Sequence, residues 1–357
     1  MIQPVIDKVA EAGQVGWDVL RIDQVHPVVS GNKWFKLQPY IGYARAKGYR
    51  GLLSFGGAWS NHLHALAYAA REAGLASAGI IRGEEPVFLS ASLEDARSWG
   101  MELKFVSREH FKLLLENIGQ WEYGPERHSP VERQVPSLLA LSPGQGRIQD
   151  FLSIPQGGYG FPGMMGAAGI WEHIPKDTYT HILCAVGTGT MYAGLLAGLH
   201  GLDRKKWNDF RGYPPSPGNK PLHRPEQFWE LNENIAKPGA PGLTPQIIGI
   251  PVLKNEPSLE AEIRLLLPPE LRECPVHLDH RFHGGGYAKI GTSQLSFMRA
   301  LYESAGIPTD IVYTAKLMYA VRAMIQEGFF PTGSRVLAIH SGGLQGNRSL
   351  KNGILPY

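Results

Sequence analysis

The sequence predicts an α/β protein with two open, twisted, mostly parallel sheets flanked by helices. Short apolar segments typical of buried strands alternate with helical segments along most of the chain, which is the pattern of parallel sheets with helices on their faces. Several of these strand segments end directly in glycine-rich turns, as at Gly56-Gly57 and Gly187. At 357 residues the chain is long for a single hydrophobic core, which favours two domains.

The composition excludes several classes of protein. The 35 basic and 32 acidic residues nearly balance and form no basic block, so we expect no nucleic-acid partner. The two cysteines, Cys184 and Cys274, have no paired spacing, which argues against a disulfide scaffold or a thiolate metal site and indicates a reducing cytoplasm. Because no signal peptide or apolar stretch of membrane-spanning length is evident, we expect a soluble cytoplasmic protein without a membrane or metal partner.

The first half of the chain alternates regularly between strands and helices, with turn and capping residues at the boundaries. Ser60 or Asn61 is predicted to cap a helix rich in alanine and leucine that ends at Gly74. The predicted elements are strands over 17–22, 52–55, 78–81 and 103–106, and helices over 33–47, 60–74 and 90–99.

The second half begins with a polar, proline-rich stretch over 121–149, which we interpret as a connection between domains. A second stretch, 201–244, is rich in proline, tryptophan and charge and is predicted to be a surface insertion. The elements predicted around it are a helix over 162–171, a strand over 181–186, a helix to about 200, a strand over 247–252, two further helices and a last strand over 335–339.

Lys33 and Lys36 begin the first long helix and lie on the same side of it, because they are three residues apart. The preceding Gly31-Asn32 suits a chain that turns into a helix. A lysine at this position is a candidate nucleophile for a Schiff base. The ordinary alternative is a solvated basic helix start.

A glycine-rich loop, Gly187-Thr188-Gly189-Thr190, follows a predicted strand and opens a helix. Its backbone amides and the helix dipole could hold a phosphate. The loop matches neither the dinucleotide fingerprint nor the P-loop, because no lysine follows and the third glycine is misplaced. A plain tight turn is the alternative.

Another strand, glycine turn and polar helix start occur over 54–62, where Ser60 and Asn61 could bind a carboxylate or a polar cofactor edge. His62 and His64 are two apart and point to different sides of the helix, so they are not a metal pair. Tyr287 follows three glycines and Tyr313 begins a helix; surface turns and caps are the ordinary explanation for both.

Taken together and in this order, these motifs resemble one family: the pyridoxal-phosphate enzymes that include 1-aminocyclopropane-1-carboxylate deaminase and D-cysteine desulfhydrase, of the tryptophan-synthase-β-like fold (fold type II). The resemblance extends from about Trp17 to Gly346, apart from 201–244. The matching motifs are Gly31-Asn-Lys33 with Lys36-Leu37, Gly56-Gly57 with Ser60-Asn61-His62, Pro155-Gln-Gly-Gly158, Ala185-Val-Gly-Thr-Gly189 and Tyr313-Thr-Ala-Lys316.

The resemblance implies a role for each matched residue. Lys33 would hold pyridoxal 5'-phosphate as a Schiff base and move the Cα proton, with Asn32 as a further cofactor contact. The 187–190 loop would anchor the phosphate, and Ser60, Asn61 and His62 would meet the substrate carboxylate and the ring hydroxyl. Tyr287 and Tyr313 would transfer protons or polarise the leaving group. Trp59 stands where a smaller polar residue is usual, which implies a differently shaped substrate pocket.

Thr314 is the most informative position for the choice of reaction. In the cyclopropane-opening deaminases a glutamate stands here and keeps the pyridine nitrogen protonated, which a neutral threonine cannot do by an ion pair. Together with His62, which replaces the deaminase glutamine, Thr314 points to the desulfhydrase branch. We therefore expect α,β-elimination from a small amino acid, D-cysteine giving pyruvate, ammonia and sulfide.

Four alternatives remain at this stage. They are ring opening of 1-aminocyclopropane-1-carboxylate, action on another D- or L-amino acid, a catalytically silent pyridoxal-phosphate-binding protein, and a nucleotide-binding protein that uses the Gly187 loop. The resemblance also implies a small domain over 36–150, a large domain that combines 1–35 with 151–357, a cofactor in the cleft between them, and a homodimer.

Overall fold

The computed structural model describes residues 1–117, 150–202, 244–254 and 258–357. The predicted connection over 121–149 lies outside these residues, as does 203–243 of the predicted insertion. In chain order the strands are β1 (Ile2–Pro4), β2 (Gly16–Leu20), β3 (Gly51–Gly56), β4 (Ala76–Arg82), β5 (Met101–Val106), β6 (Phe151–Ile154), β7 (His181–Val186), β8 (Gln246–Pro251), β9 (His277–Leu278) and β10 (Arg335–Ile339).

The helices follow the strands in the alternating order that the sequence predicts. Gly48 ends the first long helix in the left-handed conformation, and the Ser60 hydroxyl caps the next one, accepting from the Leu63 amide at 3.2 Å. The helices are α1 (Lys8–Ala12), α2 (Asn32–Lys47), α3 (Asn61–Glu72), α4 (Ala91–Ser98), α5 (Arg108–Asn117), α6 (Phe161–Ala168), α7 (Thr190–Leu199), α8 (Leu259–Leu266), α9 (Thr292–Ala305) and α10 (Thr314–Gln326).

The described residues form a six-stranded sheet in the order β1-β2-β10-β7-β8-β9 and a four-stranded sheet in the order β5-β4-β3-β6. All pairs are parallel except β1 with β2. The predicted α/β fold with two mostly parallel sheets is therefore confirmed.

Both faces of the larger sheet are covered by helices. In β7, Ile182, Cys184 and Val186 belong to one hydrophobic cluster, whereas Leu183 and Ala185 belong to the cluster on the opposite face. A strand alternates its side chains between faces, so a strand buried on both faces must be apolar throughout. This explains why the strand appears in the sequence as a continuous apolar run.

The structure corrects the predicted count of helices between β8 and β10. The sequence analysis expected two, and the described residues form three: α8, α9 and α10. Strand β6 was also not predicted; it pairs in parallel with β3 and so belongs to the four-stranded sheet. Its four residues are too few for a clear period-2 pattern.

The loops that carry the predicted motifs follow the carboxyl ends of β3, β7 and β10. In open α/β sheets the carboxyl ends of the strands are where ligands bind. In the part of the chain that the structure describes, no helix is both long and apolar enough to cross a membrane. No group of three or more His, Cys, Asp or Glu side chains suited to a metal ion occurs among the same residues.

Candidate active site

A cavity of about 480 Å³ lies at the carboxyl ends of strands from both sheets. Its wall contains all but one of the residues that the sequence analysis assigned to a site; the exception is Thr314. The predicted residues that line it are Asn32, Lys33, Trp59, Ser60, Asn61, His62, Gly187, Thr188, Gly189, Thr190, Tyr287 and Tyr313.

Lys33 stands in the first turn of α2, directly after a turn that only glycine can make. Gly31 has φ +66°, and a Cβ added there would lie 1.9 Å from the Ser341 carbonyl oxygen. Lys33 Nζ donates to Asn32 Oδ1 at 2.8 Å. Desolvation lowers the pKa of Lys33 to about 8, although the buried Asp310 carboxylate opposes the shift. A lowered pKa makes the neutral, nucleophilic amine accessible near neutral pH.

Lys36 also lines the cavity, a position that the sequence analysis left without a role. It is 4% exposed, and its Nζ has one long hydrogen bond, 3.5 Å to the Gly157 carbonyl oxygen. Desolvation, and then the neighbouring Lys33, hold the pKa of Lys36 well below its usual range. An anionic ligand beside this buried amine would favour its charged form and supply the partner that it lacks.

The 187–190 loop has the features of an anion cradle. Gly189 adopts φ +75° at the N-terminus of α7, and the Thr188 and Thr190 hydroxyls lie 3.0 Å apart. A Cβ on Gly187 would lie 3.2 Å from the Tyr313 ring, so the glycine allows the tyrosine to pack against the loop. Free amides at a helix start, two hydroxyls and the nearby Lys36 together suit a phosphate group.

Hydrogen bonds define the protonation of His62. Ser54 Oγ can only donate to the Ile154 carbonyl oxygen, at 2.7 Å, so it must accept from His62 Nε2 at 2.8 Å. His62 Nδ1 then carries a lone pair and has no partner among the described residues. Desolvation holds the pKa of His62 well below its usual range, so the ring is neutral. A neutral ring with this tautomer has no free donor, so His62 does not suit the contact with a substrate carboxylate that the resemblance implies for it.

Thr314 is the site residue that the structure does not bring to the cavity. It is fully buried, and its hydroxyl donates to Asp310 Oδ1 at 2.8 Å while accepting from the Asp310 amide at 2.7 Å. Asp310 also accepts from the Val312 and Tyr313 amides. Desolvation raises the pKa of this carboxyl group, although these hydrogen bonds oppose the shift. Thr314 is thus backed by a buried acid that the sequence analysis missed.

The loop that carries Tyr287 is held in place by a buried lysine. Lys316 is fully buried in α10, one turn after Tyr313, and its Nζ donates to the carbonyl oxygens of Gly286 at 2.6 Å and Val252 at 3.0 Å. It therefore ties the loop that carries Tyr287 to α10 and to the end of β8. Desolvation raises the pKa of both tyrosines, so their hydroxyls remain protonated near neutral pH.

Replacing Lys316 by methionine is expected to loosen the Tyr287 loop. Two carbonyl oxygens lose a charged donor, which costs about 2–3 kcal/mol of the free energy of unfolding. Hydrogen exchange should accelerate at 284–288 more than at 182–186 in β7. Lys289→Met, an exposed lysine of the same loop, is the control and should leave exchange unchanged. Equal exchange in Lys316→Met and the parent protein would contradict this role.

Comparison with known proteins places these observations in context. No family profile matches the chain. A Pyrococcus horikoshii protein provisionally named 1-aminocyclopropane-1-carboxylate deaminase is 26% identical over 340 residues, which cover 93% of this chain and 86% of that protein. A Thermotoga maritima protein with the same provisional name is 25% identical over 339 residues, or 92% and 88% of the two chains.

Solved structures show the same relationship in three dimensions. A crystal structure of a homologue of the same deaminase matches 97% of this chain and 90% of its own, with a TM-score of 0.65 and 20% identity. A pyridoxal 5'-phosphate-dependent aspartate racemase matches 100% and 91%, with a TM-score of 0.57 and 12% identity. The comparisons therefore confirm the resemblance to the 1-aminocyclopropane-1-carboxylate deaminase family that the motifs indicated, and the fold is that of the fold type II pyridoxal-phosphate enzymes.

Proposed function

We propose that this protein binds pyridoxal 5'-phosphate and is a deaminating lyase that acts on a small amino acid by α,β-elimination. The observation that carries the proposal is Lys33, whose amine has a pKa lowered to about 8 and lines the same cavity as the 187–190 loop. An accessible amine and an anion cradle in one cavity are the two attachment points that this cofactor needs.

The residues present fit the cofactor. Lys33 would hold its aldehyde carbon, while the 187–190 loop and Lys36 would hold its phosphate. Asn61 Oδ1 is buried without a partner among the described residues, and it would accept from a polar group on the ring or the substrate. Asn32, the present acceptor for Lys33 Nζ, would remain beside the cofactor. When bound, the cofactor supplies the electron sink that stabilises negative charge at the substrate Cα.

The remaining steps belong to the side chains of the protein. Ser60 stands at the N-terminus of α3, where its hydroxyl and the helix start favour the substrate carboxylate. Once displaced by the substrate amine, the Lys33 amine would take the Cα proton, as a base whose pKa lies near the working pH. Tyr287 and Tyr313 line the cavity and remain protonated because their pKa values are raised, so their hydroxyls would donate hydrogen bonds to the group that leaves Cβ.

The lead substrate is D-cysteine. A thiolate is a good leaving group, so its departure needs less stabilisation of the Cα carbanion than ring opening does. Thr314 is neutral, and its hydroxyl donates to Asp310 rather than into the cavity. Ring opening of 1-aminocyclopropane-1-carboxylate is the second candidate, supported by the names of the sequence relatives and by the buried Asp310 carboxylate, which Thr314 contacts directly.

A panel of substrates tests the assignment in one experiment. Purified, cofactor-loaded protein is incubated with D-cysteine, L-cysteine, D-serine and 1-aminocyclopropane-1-carboxylate, and 2-oxo acids are measured. We expect pyruvate and sulfide from D-cysteine. Release of 2-oxobutyrate alone would assign the deaminase reaction, and a loaded protein without product on the whole panel would support a silent cofactor-binding protein. A protein that does not take up the cofactor would overturn the proposal.

A further inference from the structure

The cavity carries more positive charge than the proposed reaction uses. Its wall contains Lys33, Lys36 and Arg82, and none of the described residues that line it is an aspartate or glutamate. Lys33 is consumed in holding the cofactor, and Lys36 lies beside the phosphate loop. The α-carboxylate of an amino acid is met at the start of α3. Arg82 is left over.

Arg82 is the last residue of β4, so it enters the cavity from the four-stranded sheet. Its side chain forms no hydrogen bond or ion pair with any described residue, and its guanidinium carbon lies 5.9 Å from the centre of the Phe111 ring. Its charge lowers the pKa of Tyr287, against the larger effect of desolvation. Arg82 and Tyr287 line the same cavity, and Tyr287 comes from the loop between β9 and α9.

A guanidinium group stays charged at every physiological pH and presents a planar set of donors that matches a carboxylate or phosphate. An unpaired guanidinium in a cavity that lacks carboxylates is suited to an anion brought by the ligand. Because the cofactor phosphate and the α-carboxylate already have their own partners, this anion belongs to the substrate side chain.

We infer that Arg82 binds an anionic group on the substrate side chain, the thiolate of cysteine included, so that among amino acids of similar size those with a negatively charged side chain bind more tightly than neutral ones. This inference rests on the proposed function, since it assumes that a substrate amine and carboxylate are placed by Lys33 and by the start of α3. It adds a specificity-determining residue from the smaller sheet.

Aspartate and asparagine provide a matched pair of probes, because they have nearly the same shape and differ in side-chain charge. Both enantiomers of each are titrated into cofactor-loaded protein, and binding is followed by the cofactor absorbance and by calorimetry. One enantiomer of aspartate should bind on the order of tenfold more tightly than the asparagine of the same hand. In Arg82→Gln this ratio should fall to about one, with asparagine binding unchanged.

Arg71→Gln is the control, because it removes the same charge from an exposed arginine that packs over Tyr68 outside the cavity; it should keep the preference for aspartate. Equal binding of the two probes by the parent protein would overturn the inference. So would an Arg82→Gln protein that loses affinity for both probes equally, since Arg82 would then hold the α-carboxylate. A protein that never takes up the cofactor would overturn the proposed function as well, whereas a loaded protein without preference overturns only this inference.

Discussion

Replacing Lys33 by alanine is expected to abolish the covalent attachment of pyridoxal phosphate, and with it the associated absorbance band and all turnover. The amine is the nucleophile, so no neighbouring group can replace it without moving. The change removes a side chain from the cavity wall and leaves the cap of α2 untouched. The fold should therefore survive, and the far-ultraviolet circular dichroism spectrum should match that of the parent protein.

Two other lysines, both buried, could in principle react with the cofactor in place of Lys33. Lys36 and Lys316 also have lowered pKa values, by desolvation in both cases. Lys316 is engaged with two carbonyl oxygens, and Lys36 is almost fully buried against Gly157. Among the lysines that the structure describes, only Lys33 combines a lowered pKa with partial exposure in the cavity wall, so we expect it alone to react.

Borohydride reduction followed by peptide mass spectrometry identifies the attached lysine directly. The label should fall on the peptide that contains Lys33 and disappear in Lys33→Ala. Lys47→Ala, an exposed lysine at the end of the same helix, is the control and should keep both label and absorbance. A label on Lys36 or Lys316 would show that Lys33 is not the nucleophile, although the protein would still be shown to bind the cofactor.

The rate of cofactor attachment should also depend on pH in a defined direction. With a pKa of about 8, roughly a tenth of the Lys33 side chains are neutral at pH 7. Because the neutral amine reacts, attachment should accelerate as pH rises and level off above about pH 8. An ordinary exposed lysine, with a pKa near 10.5, would show the same rise more than two pH units higher.

The alternation of strands and helices was predictable from the sequence. A strand that is buried on both faces of the sheet appears in the sequence as a continuous run of apolar residues. The capping of α3 by Ser60 and the end of α2 at Gly48 were predictable for a similar reason: each depends on the local backbone chemistry of a single residue. The residues in these contacts are only a few positions apart along the chain, so a local sequence pattern is enough to predict them.

Lys316 and Arg82 could not be assigned in the same way, because their roles arise from contacts between distant segments. Lys316 meets Val252, which is 64 residues away, and nothing in the local pattern of α10 indicates that pairing. Arg82 ends a strand like many solvated arginines, and only the cavity distinguishes it. Thr314 shows the reverse case: its motif is evident in the sequence, but its hydroxyl is committed to Asp310.

Replacing Gly31 by alanine is expected to have the largest effect on stability of any single methyl group added near the site. The residue has φ +66°, and the new Cβ would lie 1.9 Å from the Ser341 carbonyl oxygen, which is backbone and cannot turn aside. Backbone strain and overpacking together should lower the free energy of unfolding by about 4 kcal/mol or more. Denaturant unfolding measures this directly.

Gly42→Ala is the matched control, because it adds the same methyl group within the same helix. Apart from the adjacent residues and the backbone of α2 itself, no heavy atom lies within 4 Å of the added Cβ, so only the helix propensity changes, and stability should rise by about 0.5–1 kcal/mol. The two substitutions should therefore change the free energy of unfolding in opposite directions, because only Gly31 lies against the backbone of the Ser341 segment. The Ser341 segment follows β10 and α2 carries Lys33, so Gly31→Ala should also impair cofactor attachment. A Gly31→Ala protein as stable as its parent would show that α2 and the end of β10 are not packed as closely as the structure has them, and the placement of Lys33 would need revision with it.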